Sequence, residues 1–255
     1  MILAIDIGNT NIVLGGIEKG NILFEARLAT DHIKTSDQYA VDLKNVLSLY
    51  SADGAQFEGS IVSSVVPPVL NSIGTAIRKL TGKMPLVVGP GIKTGLNILL
   101  DNPGQTGGDL IVGAVAAVHE YRTPMALVDM GTATTISILN EKGALLGGCI
   151  CPGVRISMEA LSARTAQLPG ICLDEPKRVI GRNTIDCMRS GILYGAASML
   201  DGLLTRMEEE LGQPLEAVAT GGMSRFIAPL CKRKMIYDKD LLLKGLYILY
   251  EQNRK

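Results

Sequence analysis

Ile5-Asp6-Ile7-Gly8 opens the chain, and Val128-Asp129-Met130-Gly131 repeats its pattern near the middle. Each phrase ends an apolar run on an aspartate and a glycine, with a threonine within two residues, at Thr10 and Thr132. The offset is 123 residues in a chain of 255. A period that long marks a duplicated domain, since solenoid repeats run at about 20–50 residues. The surroundings repeat as well. Apolar strand patterns at residues 2–6, 11–16 and 22–28 are separated by turns at Gly8-Asn9-Thr10 and Glu18-Lys19-Gly20-Asn21. Patterns at 125–130, 134–140 and 144–151 follow the second aspartate, with a turn at Glu141-Lys142-Gly143. Two successive hairpins make an antiparallel meander, so the expectation is an α/β protein built from two related domains, residues 1–118 and 119–255.

Helical spacing of Tyr39, Leu43, Val46, Leu47 and Tyr50 predicts a helix over 36–50, with Thr35 or Ser36 as N-cap. A strand at 61–66 is stopped by Pro67-Pro68, and a helix at 69–80 and a short strand at 85–88 follow. Residues 89–108 form a glycine-rich stretch before a helix at 109–121. The second half adds helices at 154–166, 184–211, 222–231 and 238–252, and a strand at 217–220.

Composition narrows the function. Lysine and arginine number 25 against 25 aspartate and glutamate, which gives no support to a nucleic-acid binder, whose signature is clustered excess base. The longest apolar stretch, residues 110–118, is about half of the ~20 needed to span a membrane. The N-terminus enters a strand directly, without the pattern of a signal peptide. Five cysteines without a C-x-x-C pair fit the cytoplasm, and Cys149 and Cys151 are expected as buried thiols on or beside a strand. His32 and His119 lack metal-ligand spacing. Of the 29 glycines, twelve lie between Gly89 and Gly153, where backbone can approach a ligand closely.

The two aspartates carry the chemistry. Burying a carboxylate is costly unless it is paired, hydrogen-bonded or near a cation. Each sits beside a turn whose backbone N–H groups can cradle phosphate, and Thr10, Thr132 and Thr134 add hydroxyls. That set suits ATP with Mg²⁺ held mostly through water. Other nucleotide signatures are absent: no G-x-x-x-x-G-K-[ST], no G-x-G-x-x-G, no H-R-D or D-F-G. The plain alternative is a hairpin turn capped by its own aspartate.

Asp6-Ile7-Gly8-Asn9-Thr10-Asn11 with Gly15 resembles the first phosphate motif of type III pantothenate kinases, and residues 129–135, Asp-Met-Gly-Thr-Ala-Thr-Thr, resemble their second. Leu146-Gly147-Gly148, Pro152-Gly153, Gly181-Arg182-Asn183-Thr184, Ser190-Gly191, Tyr194-Gly195 and Ala219-Thr220-Gly221-Gly222 extend the resemblance to about residue 253. It implies two ribonuclease-H-like (actin-like ATPase) domains, each a mixed five-stranded sheet with helices, with ATP in the cleft. The implied reaction is ATP-dependent phosphorylation of pantothenate, the first step of coenzyme A synthesis.

The resemblance also implies roles. ATP would be held by Asp6, Ile7, Gly8, Asn9, Thr10, Asn11, Ile12 and Val13, by Thr132 and Thr134, and by Gly221 and Gly222 at the nucleoside end. Asp6 would hold Mg²⁺ through water, and Asp129 a monovalent cation, K⁺ or NH₄⁺. The substrate loop would run from Asn102-Pro103 to Gly107-Gly108-Asp109, with Asp109 as general base; the plainer role for Asp109 is a helix cap. Thr184 would reach pantothenate across a homodimer interface, and the wide apolar face of residues 184–211 fits burial against a partner, or else a two-sided core helix. Two positions depart from the family: Leu110 stands where an arginine usually follows the aspartate, and Leu100 where an aromatic residue often stands. They keep open a kinase of the same fold with another alcohol acceptor, and Arg155, Arg164 or Arg182 could supply the missing cation. A non-catalytic nucleotide-binding protein would show a broken site, whereas Asp6, Thr10, Asp109, Asp129 and Thr132 are all present.

Overall fold

The computed structural model describes residues 1–54 and 56–254. Its first half runs β1 (Ile2–Ile7), β2 (Asn11–Glu18), β3 (Asn21–Ala29), α1 (Ser36–Leu49), β4 (Gly59–Ser64), α2 (Pro67–Thr81), β5 (Leu86–Val87) and α3 (Gly108–Glu120). The second runs β6 (Met125–Met130), β7 (Ala133–Leu139), β8 (Leu145–Pro152), α4 (Val154–Arg164), α5 (Thr184–Leu211), β9 (Glu216–Thr220), α6 (Ser224–Ile227), β10 (Ile236–Tyr237) and α7 (Leu241–Asn253). Two five-stranded sheets result, ordered β3-β2-β1-β4-β5 and β10-β9-β6-β7-β8. Read outward from β1 and from β6, the orders are the same. Each sheet joins an antiparallel meander to two parallel strands. The duplicated α/β architecture expected from the repeated phrase is therefore present, with one difference. Ile7 pairs with Ile12 but Met130 pairs with Thr134, so the second turn is one residue shorter.

The strand and helix boundaries follow local chemistry. Strand β1 is buried along its whole length, as the central strand of a sheet covered on both faces requires. Helix α1 starts on Thr35, which accepts the Gln38 N–H while the Gln38 side chain takes the Thr35 N–H. This capping box satisfies two otherwise orphan donors. Thr35→Ala is expected to lower stability by about 1 kcal/mol in chemical denaturation. Pro67 and Pro68 do not merely stop β4: they occupy the first turn of α2, where a missing N–H removes nothing the helix would use. The helix expected over 222–231 is divided into α6 and a 3-10 turn at Ala228–Leu230. Pro229, in the first positions of that turn, cannot donate to a continuing α-helix.

Two compact units emerge. The first comprises Met1–Leu96, Asp101–Glu120 and Asp240–Lys255, and the second Asn97–Leu100 and Tyr121–Lys239. The chain leaves the first unit two residues past the expected boundary at 118. The expectation that everything from 119 onward forms the second domain needs correction, because α7 returns to the first unit. There Leu241, Leu243, Leu246 and Leu249 are buried, and the helix packs on α3. The core of the first unit lies around Leu3, Ile5, Ile7, Ile12, Leu14, Leu43 and Ile73. That of the second lies around Val128, Met130, Ile136, Leu193, Leu200 and Leu204. No helix among the described residues is long and apolar enough to cross a membrane.

Candidate functional site

In the first unit, Asp6 lies one residue before the end of β1, buried, opposite Val13 on β2 and Ser63 on β4. The following turn is closed by the Gly8 N–H donating to the Asn11 carbonyl at 3.0 Å. It is held from outside by Thr30, whose hydroxyl donates to the Gly8 carbonyl at 2.6 Å and whose N–H donates to the Thr10 carbonyl at 3.0 Å. Asn9, Thr10 and Asn11 are thereby presented to solvent on a fixed backbone. Ile7 and Ile12 are fully buried in the core, so their side chains hold the turn, and only their backbone could reach a ligand. Val13 is half-buried.

The start of α3 meets this sheet. A side-chain carbon added at Gly108 would come within 3.0 Å of the Ser63 hydroxyl. The glycine thus lets the first turn of α3 rest directly on the end of β4. Asp109 follows, within the helix rather than at its cap. It is half-buried, and its Oδ1 accepts the Leu110 N–H at 2.8 Å. No other hydrogen bond to Asp109 occurs among the described residues, so one carboxylate oxygen is held and the other is available. Leu110, half-buried, provides no cation here.

The second unit builds a related turn. Asp129 occupies the equivalent position on β6, paired with Thr135 on β7 and Thr220 on β9. Gly221 follows β9 with φ of +88°, and a side-chain carbon on it would fall 2.5 Å from Asp129 Oδ1. No other residue combines that left-handed backbone with that approach at low strain. Gly153, the N-cap of α4, is equally constrained, because a side-chain carbon there would sit 2.0 Å from the Thr132 carbonyl oxygen. The N-terminus of α4 is therefore pressed against the Gly131–Thr132 turn. Helix N-terminal amides and their dipole favour anions. Thr132 and Gly222 are exposed, while Thr134 is buried.

Leu100 belongs to a short segment held on the start of β8, where Leu99 N–H donates to the Leu145 carbonyl and Leu145 N–H to the Asn97 carbonyl, both at 2.8 Å. Its side chain lies 3.8 Å from where a side-chain carbon of Gly147 would be. Thr184 is exposed at the first position of α5, after the N-cap Asn183. Arg155, Arg164 and Arg182 are exposed side chains of the second unit.

Other chemistry is poorly provided for. Cys149 and Cys151 lie half-buried on β8 and are free. Burial, and then neighbouring Cys151, pushes the Cys149 thiol up to about 11; burial, then Asp201, pushes Cys231 up to about 12. Neither is a thiolate nucleophile near neutral pH. Among the described residues no three His, Cys, Asp or Glu form a metal cage. Mg²⁺ is compatible with that, because it keeps several waters and uses one or two carboxylates plus phosphate oxygens. In the first unit the buried Asp6 and the unpartnered Ser63 hydroxyl, and in the second the half-buried Asp129 with the backbone cradles at Gly153 and Gly221, are each of a chemistry that fits a magnesium nucleotide.

The model of the type III pantothenate kinase family matches residues 2–206. The chain belongs to this family. The kinase accordingly phosphorylates pantothenate using ATP, and its two sheets are those of the actin-like kinases and ATPases. Solved structures with the same fold include a protein of Campylobacter jejuni described as a Baf family transcriptional activator, 19% identical, with 98% of each chain covered and a TM-score of 0.60. Component A of (R)-2-hydroxyglutaryl-CoA dehydratase from Acidaminococcus fermentans is 15% identical, with 98% of this chain and 96% of that chain covered and a TM-score of 0.59. The inorganic polyphosphate/ATP-glucomannokinase of Arthrobacter sp. strain KM is 17% identical, with 99% of each chain covered and a TM-score of 0.52.

Sequence reasoning passed over Ser63 as a site residue and left Thr220 inside a longer phrase. The duplication carried the signal. Once Asp6 and Asp129 are matched, the residues beside them on the adjoining parallel strands become equivalent, and both are hydroxyl residues.

Proposed function

We propose that the two aspartate-led turns bind the phosphates of ATP and that Asp109 is the general base of the kinase. The single observation carrying this reading is the setting of Asp109: in the first turn of α3, with one oxygen fixed by the Leu110 N–H and the other unengaged. A carboxylate so placed accepts the proton of the acceptor's primary hydroxyl as that oxygen attacks phosphorus. The demand on the base is small, because the hydroxyl loses its proton as the phosphoryl group arrives. Asp6 holds hydrated Mg²⁺, and Asp129 a monovalent cation, K⁺ or NH₄⁺. Thr132, Thr134 and the α4 N-terminus orient phosphate oxygens, and Gly221-Gly222 lie at the nucleoside end. When bound, the cations neutralise charge on the transferring phosphoryl group.

The kinase is also proposed to be a cytoplasmic homodimer in which Thr184 contacts the substrate held by the partner. Support comes from exposed apolar side chains of the second unit, Ile150, Ile156, Val179, Ile180 and Ile185. Val179 precedes α5 and is tied to it, its carbonyl accepting the Ser190 hydroxyl. Much of the apolar face expected to meet a partner is instead used within the chain, where Met188, Ile192, Leu193, Leu200 and Leu204 are buried.

An ADP-coupled assay over a panel of alcohols, with and without K⁺, tests the reading. ADP release should require pantothenate and rise with K⁺. Another alcohol working where pantothenate fails would overturn the acceptor, and equal rates without K⁺ the cation. Sedimentation at micromolar concentration should show a dimer; a monomer would remove the shared Thr184 role.

A further inference from the structure

Three side-chain hydroxyls are buried without a hydrogen-bond partner among the described residues: Ser60, Ser63 and Thr106. Such groups are uncommon and need a reason, since a buried polar group without a partner destabilises the fold. Ser63 is completely inaccessible. It is also the direct register partner of Asp6 across the parallel β1–β4 pair. Residues paired across adjacent strands present their side chains to the same face, so the hydroxyl and the carboxylate share one face at one end of the sheet. Its neighbour Ser64 has an ordinary local task, accepting the Val66 N–H at 3.0 Å. Ser63 has none.

The second unit repeats the arrangement. Thr220 is buried and is the register partner of Asp129 across the parallel β6–β9 pair. A glycine approaches each pair, Gly108 at the start of α3 on the Ser63 hydroxyl and Gly221, directly after Thr220, on the Asp129 carboxylate. The halves have diverged in turn length and in most side chains, yet each keeps a hydroxyl beside its aspartate.

We infer that Ser63 is a positioning residue for Asp6, its hydroxyl donating to the carboxylate and fixing the rotamer in which Asp6 holds hydrated Mg²⁺, and that Thr220 does the same for Asp129. The inference rests on the assignment of Asp6 to Mg²⁺. A hydrogen bond to a charged group is stronger than one between neutral partners. A donor with no other partner is free to follow the carboxylate when it turns toward the ion. The fold retains an unsatisfied group there because binding uses it.

The test separates this role from a structural one. Ser63→Ala should unfold at the same or a higher temperature, since it removes an unpartnered buried polar group. It should nevertheless weaken binding of Mg²⁺ with a non-hydrolysable ATP analogue, read by calorimetry, by about tenfold or more. Ser63→Thr, which keeps the hydroxyl in the form found at Thr220, should restore most of the affinity. Ser60→Ala serves as control, because Ser60 pairs with Leu3 away from the carboxylate; it should match the stability gain and leave binding unchanged. Affinity of Ser63→Ala within about twofold of wild type, or equal losses in Ser60→Ala, would overturn the inference. Binding is read without acceptor. A wild-type chain that binds the magnesium analogue but does not phosphorylate pantothenate would therefore overturn the acceptor alone, and one that does not bind it would overturn the inference.

Discussion

Asp109→Asn should lower turnover by about 10²–10⁴-fold, the span associated with a positioned general base, while nucleotide binding stays near wild type. Asparagine keeps the shape of the side chain and keeps an oxygen able to accept the Leu110 N–H, the contact that ties Asp109 into the first turn of α3. The start of the helix, and the approach of Gly108 to Ser63, should therefore persist. What is lost is a group that can take a proton. If Asp109 served only to complement the positive end of the helix, the substitution would cost a few tenths of a kcal/mol of stability and leave the rate alone. Measuring kcat in the ADP-coupled assay beside nucleotide affinity separates the cases. Activity within a few-fold of wild type would remove Asp109 from the base role.

The legible parts of the fold were those where local chemistry and tertiary environment agree. The apolar run before Asp6 reads as a strand and is one, because β1 is central and buried throughout. The Thr35 box and the helical spacing after it gave α1 to within a residue. The boundaries that slipped have definite causes. Strand β10 is two residues long, too short for any periodicity. Helix α7 reads correctly as a helix, but nothing in its own pattern says which sheet it covers; that depends on Gly245 fitting Val112 of α3. The carboxylates and glycine turns of the candidate site were readable because the duplication shows them twice. Ser63 was not, because a serine in a strand carries no local signal. Its meaning comes from register with Asp6, a pairing set by residues more than fifty positions apart.

That contrast bears on how a chain with no net charge can be suited to a polyanion. In the proposed reading backbone amides supply the positive potential, in the first unit at the Gly8–Asn11 turn and in the second at the α4 N-terminus against Thr132 and the β9–Gly221 turn beside Asp129. These are dipoles fixed by packing, with little reorganisation at the moment of reaction. They demand glycine at Gly153 and Gly221, where a side-chain carbon would strike backbone or the carboxylate.

Gly245→Ala is the substitution expected to harm stability most. In the interior of a solvent-exposed helix this exchange stabilises by about 1 kcal/mol, so the sign here depends wholly on packing. The added carbon would lie 2.1 Å from the Val112 carbonyl oxygen and 2.9 Å from its carbonyl carbon. Both belong to the backbone of α3, which cannot swing aside as a flexible side chain would. Relief requires α7 to shift off α3, opening the contacts of Leu241, Leu246 and Leu249, all fully buried. Overpacking of this kind costs about 1–3 kcal/mol, occasionally more. The backbone clash places this case at the upper end, a fall of about 5–10 °C in the unfolding midpoint. Because Asp109 lies on α3 within one turn of Val112, turnover should fall as well, with nucleotide affinity less affected than in Ser63→Ala. A midpoint unchanged or raised would show that α7 does not rest on α3 through this glycine, and the helix-propensity gain would then be the whole effect.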